Sequence, residues 1–338
     1  MAEQIAMVAS SLVPNDVYEL VLRLNHFTGT FFGRGFYKAN EHGVIDTRKS
    51  APLRGTYSGD GPFPSIIDIS GTGGGINEQK GAALASEGFC VLCLAFFQYK
   101  TLIKNLNDLD LDYFKNAINW MTSQNFVPNK IGFQGVSFGG LLVHLIAIRN
   151  PKVVAVCSIN GLHALSDTMK IKEHGEYLPY AEHQSGLVHF VNQTMFTNKC
   201  FENLHVTPEA DIGIKTAPRT TAFRFVVSQL YQTTSLDDYS TPTVFCTRSL
   251  EEDLRNSDHY VEVDFVPGGH LMDPPYFPCH QAVYSKLSGT IQAYGGEPSQ
   301  HGASQDRVWS NTIQFFKRFL GKPQPVADYR LELARSHI

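Results

Sequence analysis

Two patterns of apolar and polar positions follow one another along the chain, and each predicts a different kind of structure. Up to about residue 59, short segments such as residues 17–24 alternate apolar and polar side chains, and turn signals such as residues 40–43 separate them. This alternation is typical of strands with one buried face. From Pro62 onward, apolar runs without alternation are separated by stretches with helical spacing. We therefore predict antiparallel β structure first, followed by a mostly parallel sheet with helices on both faces.

The apolar runs of the second part predict strands at residues 65–69, 88–95, 130–133, 153–158, 243–246 and 261–265. The stretches with helical spacing predict helices at residues 78–87, 110–123, 138–150, 248–256 and 304–320. Residues 162–238 show neither period, so they predict an excursion of loops and helices above the sheet. The predicted regions are a partial N-terminal β domain (1–60), a larger α/β domain (61–322) and a C-terminal tail (323–338).

Composition and charge argue against several classes of function. The 338 residues carry a net charge of −4 and contain no run of Lys and Arg, which argues against a nucleic-acid partner. The longest apolar run, residues 89–97, is about half as long as a membrane-spanning helix. The first residues include Glu3 and lack the positive charge of a secretory signal. We therefore expect an intracellular protein without a membrane span.

Cysteine spacing predicts no metal site. The six cysteines are scattered, and several lie in apolar runs, as buried thiols do. Cys90 and Cys93 have C-x-x-C spacing, but residues at i and i+3 of a strand face opposite sides of the sheet. Their sulfurs could not bind the same metal ion.

Ser137 lies in a G-x-S-x-G sequence between a predicted strand and a predicted helix. In a nucleophile elbow of this kind, a strained turn exposes the serine hydroxyl, and Gly135 and Gly139 are needed because a Cβ there would collide with neighbouring backbone. The N–H of Phe138, at the helix N-terminus, would stabilise an oxyanion. The alternative is a Gly-rich strand-to-helix turn that contains a serine by chance.

A second glycine-rich segment, residues 71–75, follows the first strand of the predicted sheet. It lacks the last glycine of the G-x-G-x-x-G dinucleotide fingerprint, where Ile76 stands. We interpret it as an oxyanion loop in which the backbone N–H of Thr72 or Gly73 approaches the reacting carbonyl. A purely structural glycine turn is the alternative.

His270 is the candidate general base, because it follows the last predicted strand and lies downstream of the serine. A triad acid should follow the strand predicted at residues 243–246, where no loop carboxylate is found. Glu251, Glu252 and Asp253 are candidates on the next predicted helix, where a solvated helix face is the alternative interpretation. Asp237 and Asp238 precede that strand and would lie at the wrong edge of the sheet. The acid therefore stays unknown at this stage.

The sequence Pro-Gly-Gly-His-Leu-Met-Asp-Pro-Pro-Tyr-Phe-Pro at residues 267–278 resembles the signature around the catalytic histidine of the acyl-CoA thioesterase and bile acid-CoA:amino acid N-acyltransferase family. Residues 61–75, 112–140, 294–298 and 309–320 are similar to the same family. The resemblance implies an α/β-hydrolase fold, a fatty acyl-CoA substrate, and Ser137 and His270 as nucleophile and base. It implies no metal and no redox cofactor.

The resemblance also separates two activities, because in this family a serine nucleophile accompanies thioester hydrolysis and a cysteine accompanies acyl transfer. Ser137 therefore predicts an acyl-CoA thioesterase that works through an acyl-serine intermediate. The alternatives are an acyltransferase that uses glycine or taurine, a catalytically impaired acyl-CoA-binding relative and a carboxylesterase of small esters.

Two departures from the family pattern motivate the impaired alternative. The N-terminal β-sandwich domain is shortened after residue 59, and the Gly-x-Asp-Asp loop that carries the family's triad aspartate is missing at the predicted position.

The last residues, Arg335-Ser336-His337-Ile338, resemble a relaxed peroxisomal targeting tripeptide. They depart from that tripeptide at two positions, and a tail without a targeting signal is the alternative. We expect the protein in the peroxisome or the cytosol.

Overall fold

The structure is a computed structural model that describes residues 8–26, 29–46, 62–202, 204–229 and 238–323. It divides into two compact units, one of Met1–Asp60 with Gln324–Ile338 and one of Gly61–Pro323. Each unit is described by itself. The three predicted regions stay predictions as independent domains, and the predicted tail lies outside the described residues from residue 324 onward.

Antiparallel strands form the described part of the first unit. They are β1 (Val8–Ala9), β2 (Val17–His26), β3 (Gly29–Lys38) and β4 (Ile45–Asp46). β2 pairs with β3, and β1 pairs with β4. The side-chain oxygen of Asn40 accepts hydrogen bonds from the N–H groups of His42 and Val44 at 3.0 and 2.9 Å, which closes the predicted turn. The predicted antiparallel structure is confirmed for these residues.

The second unit alternates strands and helices. In chain order it contains β5 (Ser65–Ile69), α1 (Glu78–Ser86), β6 (Cys90–Leu94), α2 (Asp112–Thr122), β7 (Ile131–Val136), α3 (Phe138–Arg149), β8 (Val153–Ile159), β9 (Lys172–Glu173), β10 (Glu176–Tyr177), β11 (His189–Val191), β12 (Thr194–Phe196), α4 (Asn198–Phe201), β13 (Ala222–Ser228), α5 (Thr243–Asn256), β14 (Val261–Val266), β15 (Ala282–Ser285), β16 (Thr290–Ala293) and α6 (Pro298–Leu320). Short 3₁₀ helices lie at Leu106–Asp108, Ser185–Leu187 and Ile214–Thr216. Among the described residues, no helix is both long enough and apolar enough to cross a membrane.

Six parallel strands form the central sheet, in the order β14-β13-β8-β7-β5-β6. Separate cores fill the two faces. Phe133 on β7 packs with Phe114 of α2 and Leu141 of α3 on one face, and Cys157 on β8 packs with Phe316 of α6 on the other. Strands buried on both faces explain the apolar runs without alternation. The predicted α/β-hydrolase fold class, a parallel sheet with helices on both faces, is confirmed.

The strand predicted at residues 243–246 is wrong, because these residues form the first turn of α5. Their β-branched and aromatic side chains suggested a strand. The buried positions, however, follow helical spacing along one face of α5: Thr243, Cys246, Thr247, Leu250 and Leu254. The predicted helix at residues 248–256 is the second part of the same helix.

The strand missing from the prediction is β13, which lies inside the predicted excursion at residues 162–238. All seven of its residues are buried. Arg224 interrupts the apolar pattern, but its guanidinium donates to Glu262 Oε2 at 3.3 Å and also pairs with Asp264. Pairing makes burial of the charge possible. A small sheet in the order β11-β12-β16-β15 was also missed, and α6 begins earlier than predicted, at Pro298.

One row of register partners across the central sheet is polar. On adjacent strands it contains Asp68, Gln134, Cys157, Arg224 and Glu262. The row lies on the face that α1 and α6 cover, where apolar side chains would be expected.

Candidate active site

Ser137 occupies a strained turn between β7, which ends at Val136, and α3, which begins at Phe138. Its backbone has φ 60° and ψ −124°, a region that residues with a Cβ rarely adopt. Its N–H donates to the carbonyl of Ile159, at the end of the neighbouring strand, at 2.8 Å. Strain of this kind is found at functional sites, where the surrounding structure enforces it.

Close backbone contacts explain the glycines on either side of Ser137. A Cβ on Gly135 would lie 2.2 Å from the carbonyl oxygen of Gly139, and a Cβ on Gly139 would lie 2.2 Å from that of Ser70. Neither oxygen could move without displacing backbone. The expectation that these two positions exclude a Cβ is therefore confirmed.

The glycine-rich loop after β5 lies directly beside Ser137. A Cβ on Gly71 would be 2.9 Å from Ser137 Cβ and 3.4 Å from its Oγ. Within the described part of the chain, the N–H groups of Phe138, Thr72 and Gly73 have no hydrogen-bond acceptor. They are therefore available to an oxyanion. Their assignment as the oxyanion hole stays a prediction.

His270 and Asp238 form a buried pair. Nδ1 of His270 lies 2.7 Å from Oδ2 of Asp238, and each side chain is 1% exposed. Oδ1 of Asp238 accepts the N–H groups of Ser240 and Thr241 at 2.8 and 3.0 Å, and Oδ2 accepts the Thr241 hydroxyl at 3.0 Å. These donors orient the carboxylate toward the imidazole ring.

This contact corrects the expectation about the acid. None of the three proposed acids is hydrogen-bonded to His270 among the described residues. They are all residues of α5: Glu251, Glu252 and Asp253. Glu251 is instead paired with Arg255 at 2.7 Å. The expectation that Asp238 lies at the wrong edge was also wrong, because the strand before it is β13, whose carboxyl end lies at the same sheet edge as those of the strands before Ser137 and His270. Residues 230–237 lie outside the described part.

A signal for this acid was present in the sequence. A run of seven residues, six of them uncharged and mostly apolar, ends at Ser228, and the Asp237-Asp238 pair follows it. In chain order this pair lies between the serine and the histidine, as the acid of an α/β-hydrolase does. The charge of Arg224 concealed the strand, and with it the origin of the loop.

The loop that carries His270 is held by polar contacts from neighbouring strands. Asn160, directly after β8, donates from Nδ2 to the carbonyl oxygens of Gly269 and His270 at 3.3 and 2.8 Å. Ser228, at the end of β13, donates its hydroxyl to Gly269 at 2.8 Å. The Tyr294 ring lies 4.8 Å from the His270 ring, and burial raises the pKa of Tyr294 to about 12. A neutral phenol therefore packs against the imidazole.

The structure brings the predicted site residues to one edge of the sheet. Val136 and Ile159 are register partners, and so are Ser228 and Val266. Ser137 and His270 therefore follow parallel strands that end on the same side, where ligands of open α/β sheets bind. The described residues show no hydrogen bond between the Ser137 hydroxyl and the His270 ring. Such bonds often tighten only when substrate binds.

A buried carboxyl lies beneath this edge. Asp68, on β5, is 1% exposed and accepts a hydrogen bond from Gln134 at 2.9 Å. Burial raises its pKa to about 7, although Lys80 and Gln134 act in the opposite direction. Its second oxygen has no hydrogen-bond partner in the described structure. Asp68 therefore keeps its proton in the folded protein up to near neutral pH.

We expect this proton to make stability depend on pH. An unfolded aspartate releases its proton near pH 4, so between about pH 4 and 7 the folded state binds more protons. The free energy of unfolding therefore falls as pH rises through that window, by at most about 1.4 kcal/mol per pH unit. Asp68→Asn should remove this fall. Urea denaturation from pH 5 to 8 would show the variant gaining stability relative to wild type until about pH 7. A constant difference between Asp68→Asn and wild type over this range would contradict the argument.

Within the described ranges, no three side chains of His, Cys, Asp or Glu are grouped so that they could hold a metal ion. The expectation that no metal or redox cofactor is needed stays a prediction.

Two models of protein families match the two parts of the chain. Residues 109–322 match the family model described as BAAT / Acyl-CoA thioester hydrolase C terminal, and residues 2–64 match that described as Acyl-CoA thioester hydrolase/BAAT N-terminal region. Acyl-coenzyme A thioesterase 1 of Mus musculus is 30% identical over 270 residues, which cover 77% of this chain and 61% of the relative. Peroxisomal succinyl-coenzyme A thioesterase of the same species is 31% identical over 284 residues, covering 81% and 64%.

The chain spans about six-tenths of the length of these curated relatives. Among solved structures, an esterase from Pyrococcus furiosus matches 92% of this chain and 99% of its own, with 10% identity and a TM-score of 0.46.

Proposed function

Because the chain belongs to the acyl-CoA thioester hydrolase and bile acid-CoA:amino acid N-acyltransferase family, we propose that it hydrolyses fatty acyl-CoA to a free fatty acid and CoA. The observation that carries this proposal is the buried Asp238–His270 pair, at the same sheet edge as the strained Ser137. A nucleophile, a base and an orienting acid are the parts that acyl transfer through serine requires.

In the proposed reaction, His270 Nε2 takes the proton of the Ser137 hydroxyl while Oγ attacks the thioester carbonyl. The negative charge that develops on the carbonyl oxygen is stabilised by the N–H of Phe138 and by that of Thr72 or Gly73. The carbon–sulfur bond then breaks, and CoA leaves as a thiol with the proton from His270. A water molecule, deprotonated by His270, attacks the acyl-serine and releases the fatty acid.

Asp238 has two functions in this proposal. Its contact with Nδ1 fixes the tautomer in which Nε2 is free to accept a proton, and its negative charge stabilises the imidazolium that forms. One of the two reasons for the catalytically impaired alternative was the absence of an acid, and the other, the shortened N-terminal region, is unchanged. The contact of Asp238 with His270 removes the first of these reasons. The serine at position 137 favours hydrolysis over transfer to an amino acid.

The compartment stays a prediction. One compared relative is named as peroxisomal and another, acyl-coenzyme A thioesterase 2 of Mus musculus, as mitochondrial. The C-terminal residues that resemble a targeting tripeptide lie outside the described part of the chain. The protein therefore remains predicted to lie in the peroxisome or the cytosol.

The proposal is tested by product analysis on the full chain. Acyl-CoA substrates of graded length, including succinyl-CoA, should release CoA thiol and free acid in equal amounts. Glycine or taurine should not divert the acyl group into an N-acyl product. Acid quenching during turnover, followed by peptide mass analysis, should find the acyl group on Ser137.

Two outcomes would contradict the proposal. Formation of N-acyl glycine or taurine would assign acyl transfer instead of hydrolysis. Faster turnover of a p-nitrophenyl ester than of the acyl-CoA with the same chain would assign a carboxylesterase.

A further inference from the structure

Lys80 is a cationic residue at a position where both the helix dipole and burial disfavour a positive charge. It is the third residue of α1, next to the positive end of the helix dipole, and its side chain is only 2% exposed. A cation in the first turn is opposed by the unsatisfied N–H groups, and burial removes its hydration. Violations of local rules in natural proteins concentrate at functional sites.

The partner of Lys80 is Asp273. Lys80 Nζ lies 3.3 Å from Asp273 Oδ1, and the Asp273 side chain is 6% exposed. Asp273 comes three residues after His270, and α1 follows the glycine-rich loop at residues 71–75. The ion pair therefore joins the segment that carries the proposed base to the segment that carries the proposed oxyanion donors.

Other hydrogen bonds to the histidine loop, residues 267–278, lie on both sides of Asp273, and one after it is donated by Gln305 Nε2 to the carbonyl of Phe277 at 3.1 Å. Asn160 and Ser228 hold the carbonyl oxygens of Gly269 and His270. The residues after Asp273 are Pro274 and Pro275, which have no N–H to donate. The Asp273 carboxylate therefore supplies a polar anchor on the side of the loop where the backbone lacks donors.

Helix α1, which carries Lys80, is packed closely against the central sheet. A Cβ on Gly81 would lie 1.9 Å from the sulfur of Cys93, so α1 lies directly on β6. Cys93 is the register partner of Asp68, which brings the start of α1 over the buried polar row. A helix seated this closely cannot easily follow a displaced loop.

We propose that Lys80 and Asp273 are positioning residues, whose ion pair holds the His270 loop in register with Ser137 and the oxyanion loop. This inference rests on the proposed function for its reaction. The alignment of His270 with Ser137, however, matters for any acyl or phosphonyl group that Ser137 attacks. Removing Lys80 leaves the buried Asp273 carboxylate unpaired, and removing Asp273 leaves Lys80 with only the neighbouring Asp68 carboxyl. Either change favours movement of the loop toward water. A displacement of about 1 Å at reacting groups can cost about 10²-fold in rate.

The test compares variants of the full chain. Lys80→Met and Asp273→Asn each remove one charge and keep the approximate shape, and Asp273→Glu keeps the charge. The double variant Lys80→Met/Asp273→Leu replaces both charges by apolar groups, a change that often preserves or raises stability. Arg224→Met is the matched control, because Arg224 is an equally buried cation on the same sheet face that pairs with Glu262 and Asp264.

Four quantities are measured for each variant: kcat and KM for acyl-CoA, the thermal midpoint, and the rate at which a fluorophosphonate labels Ser137. Lys80→Met and Asp273→Asn should each lose about tenfold to hundredfold in kcat and in labelling rate, with KM changing less than threefold. Asp273→Glu should keep most of both rates. The double variant should recover thermal stability without recovering either rate. Arg224→Met should lose stability while its folded fraction keeps the wild-type rates.

A double variant with wild-type rates would overturn the proposal, because packing alone would then position the loop. The proposal would also be overturned if the rates of Lys80→Met and Asp273→Asn fell only as far as their folded fractions fall, which is the behaviour expected of Arg224→Met. Asp273→Asn decides the question if Lys80→Met does not fold. The labelling rate separates this inference from the proposed function. Suppose that the wild-type protein is labelled at Ser137 but does not hydrolyse the thioester, and that the variants are labelled more slowly. This result would contradict the proposed function and support the positioning role of the ion pair.

Discussion

Replacing Asp238 by asparagine is expected to lower kcat for acyl-CoA hydrolysis by about 10⁴, because neutralising a triad aspartate has an effect of that size. Asp238 Oδ2 accepts from His270 Nδ1 at 2.7 Å in a buried site. The asparagine amide can instead donate to Nδ1, which places the ring proton on Nε2. In that tautomer His270 cannot accept the proton of Ser137, whereas substrate binding should change little.

Steady-state kinetics with acyl-CoA checks this prediction, and the acids first suggested by the sequence provide its controls. Glu251→Gln, Glu252→Gln and Asp253→Asn, all on α5, should each stay within about threefold of wild type, because the described structure places none of them against His270. A large loss in one of these three, with near wild-type activity in Asp238→Asn, would show that the triad acid has been misassigned. Thermal midpoints would verify that Asp238→Asn is folded.

Replacing Ser137 by alanine is expected to have the largest effect, a loss of about 10⁶ in kcat, because no acyl-enzyme can form. The backbone N–H groups beside Ser137 would still bind the carbonyl oxygen, so a small rate above the uncatalysed reaction should remain. Alanine also adopts the turn at φ 60° no more readily than serine, so the thermal midpoint should change little. Thiol release and trapping of the acylated peptide measure the two parts of this prediction.

Ser70→Ala is a matched control for Ser137→Ala. Ser70 lies immediately before the glycine-rich loop, and its buried hydroxyl has no hydrogen-bond partner among the described residues. Its removal should leave kcat within about threefold of wild type. If Ser137→Ala kept substantial thioesterase activity, a water molecule or another side chain would be the nucleophile, and the acyl-serine route would be excluded.

The serine turn was predictable from sequence because its constraints are local. Gly135 and Gly139 must lack a Cβ, since each faces a carbonyl oxygen at a distance that no side chain allows. A strand, a tight turn and a helix within about twenty residues then suffice to place Ser137 at the carboxyl end of a strand. His270 could be recognised for a related reason, because its distinctive motif follows the last strand of the sheet.

Asp238 could not be placed in the same way, because its position depends on which distant segments pair as strands. The buried Arg224 disguised β13, and the β-branched start of α5 resembled the strand that was then missing. One misassigned strand moved the expected acid to another loop. Only pairing of β13 between β8 and β14 shows that the chain before Asp238 leaves the sheet at the catalytic edge.

Residue types and spacing were thus enough to indicate the fold class and to suggest Ser137 and His270 as the proposed nucleophile and base, since these signals depend on short stretches of the chain. The partners of the buried charges were decided by tertiary packing. Asp238 meets His270 between separate loops, Lys80 on a helix meets Asp273 on a loop, and Arg224 meets Glu262 across adjacent strands. A buried charge is stable only beside its counter-charge. The partner it finds is set by the sheet order, which no local pattern encodes.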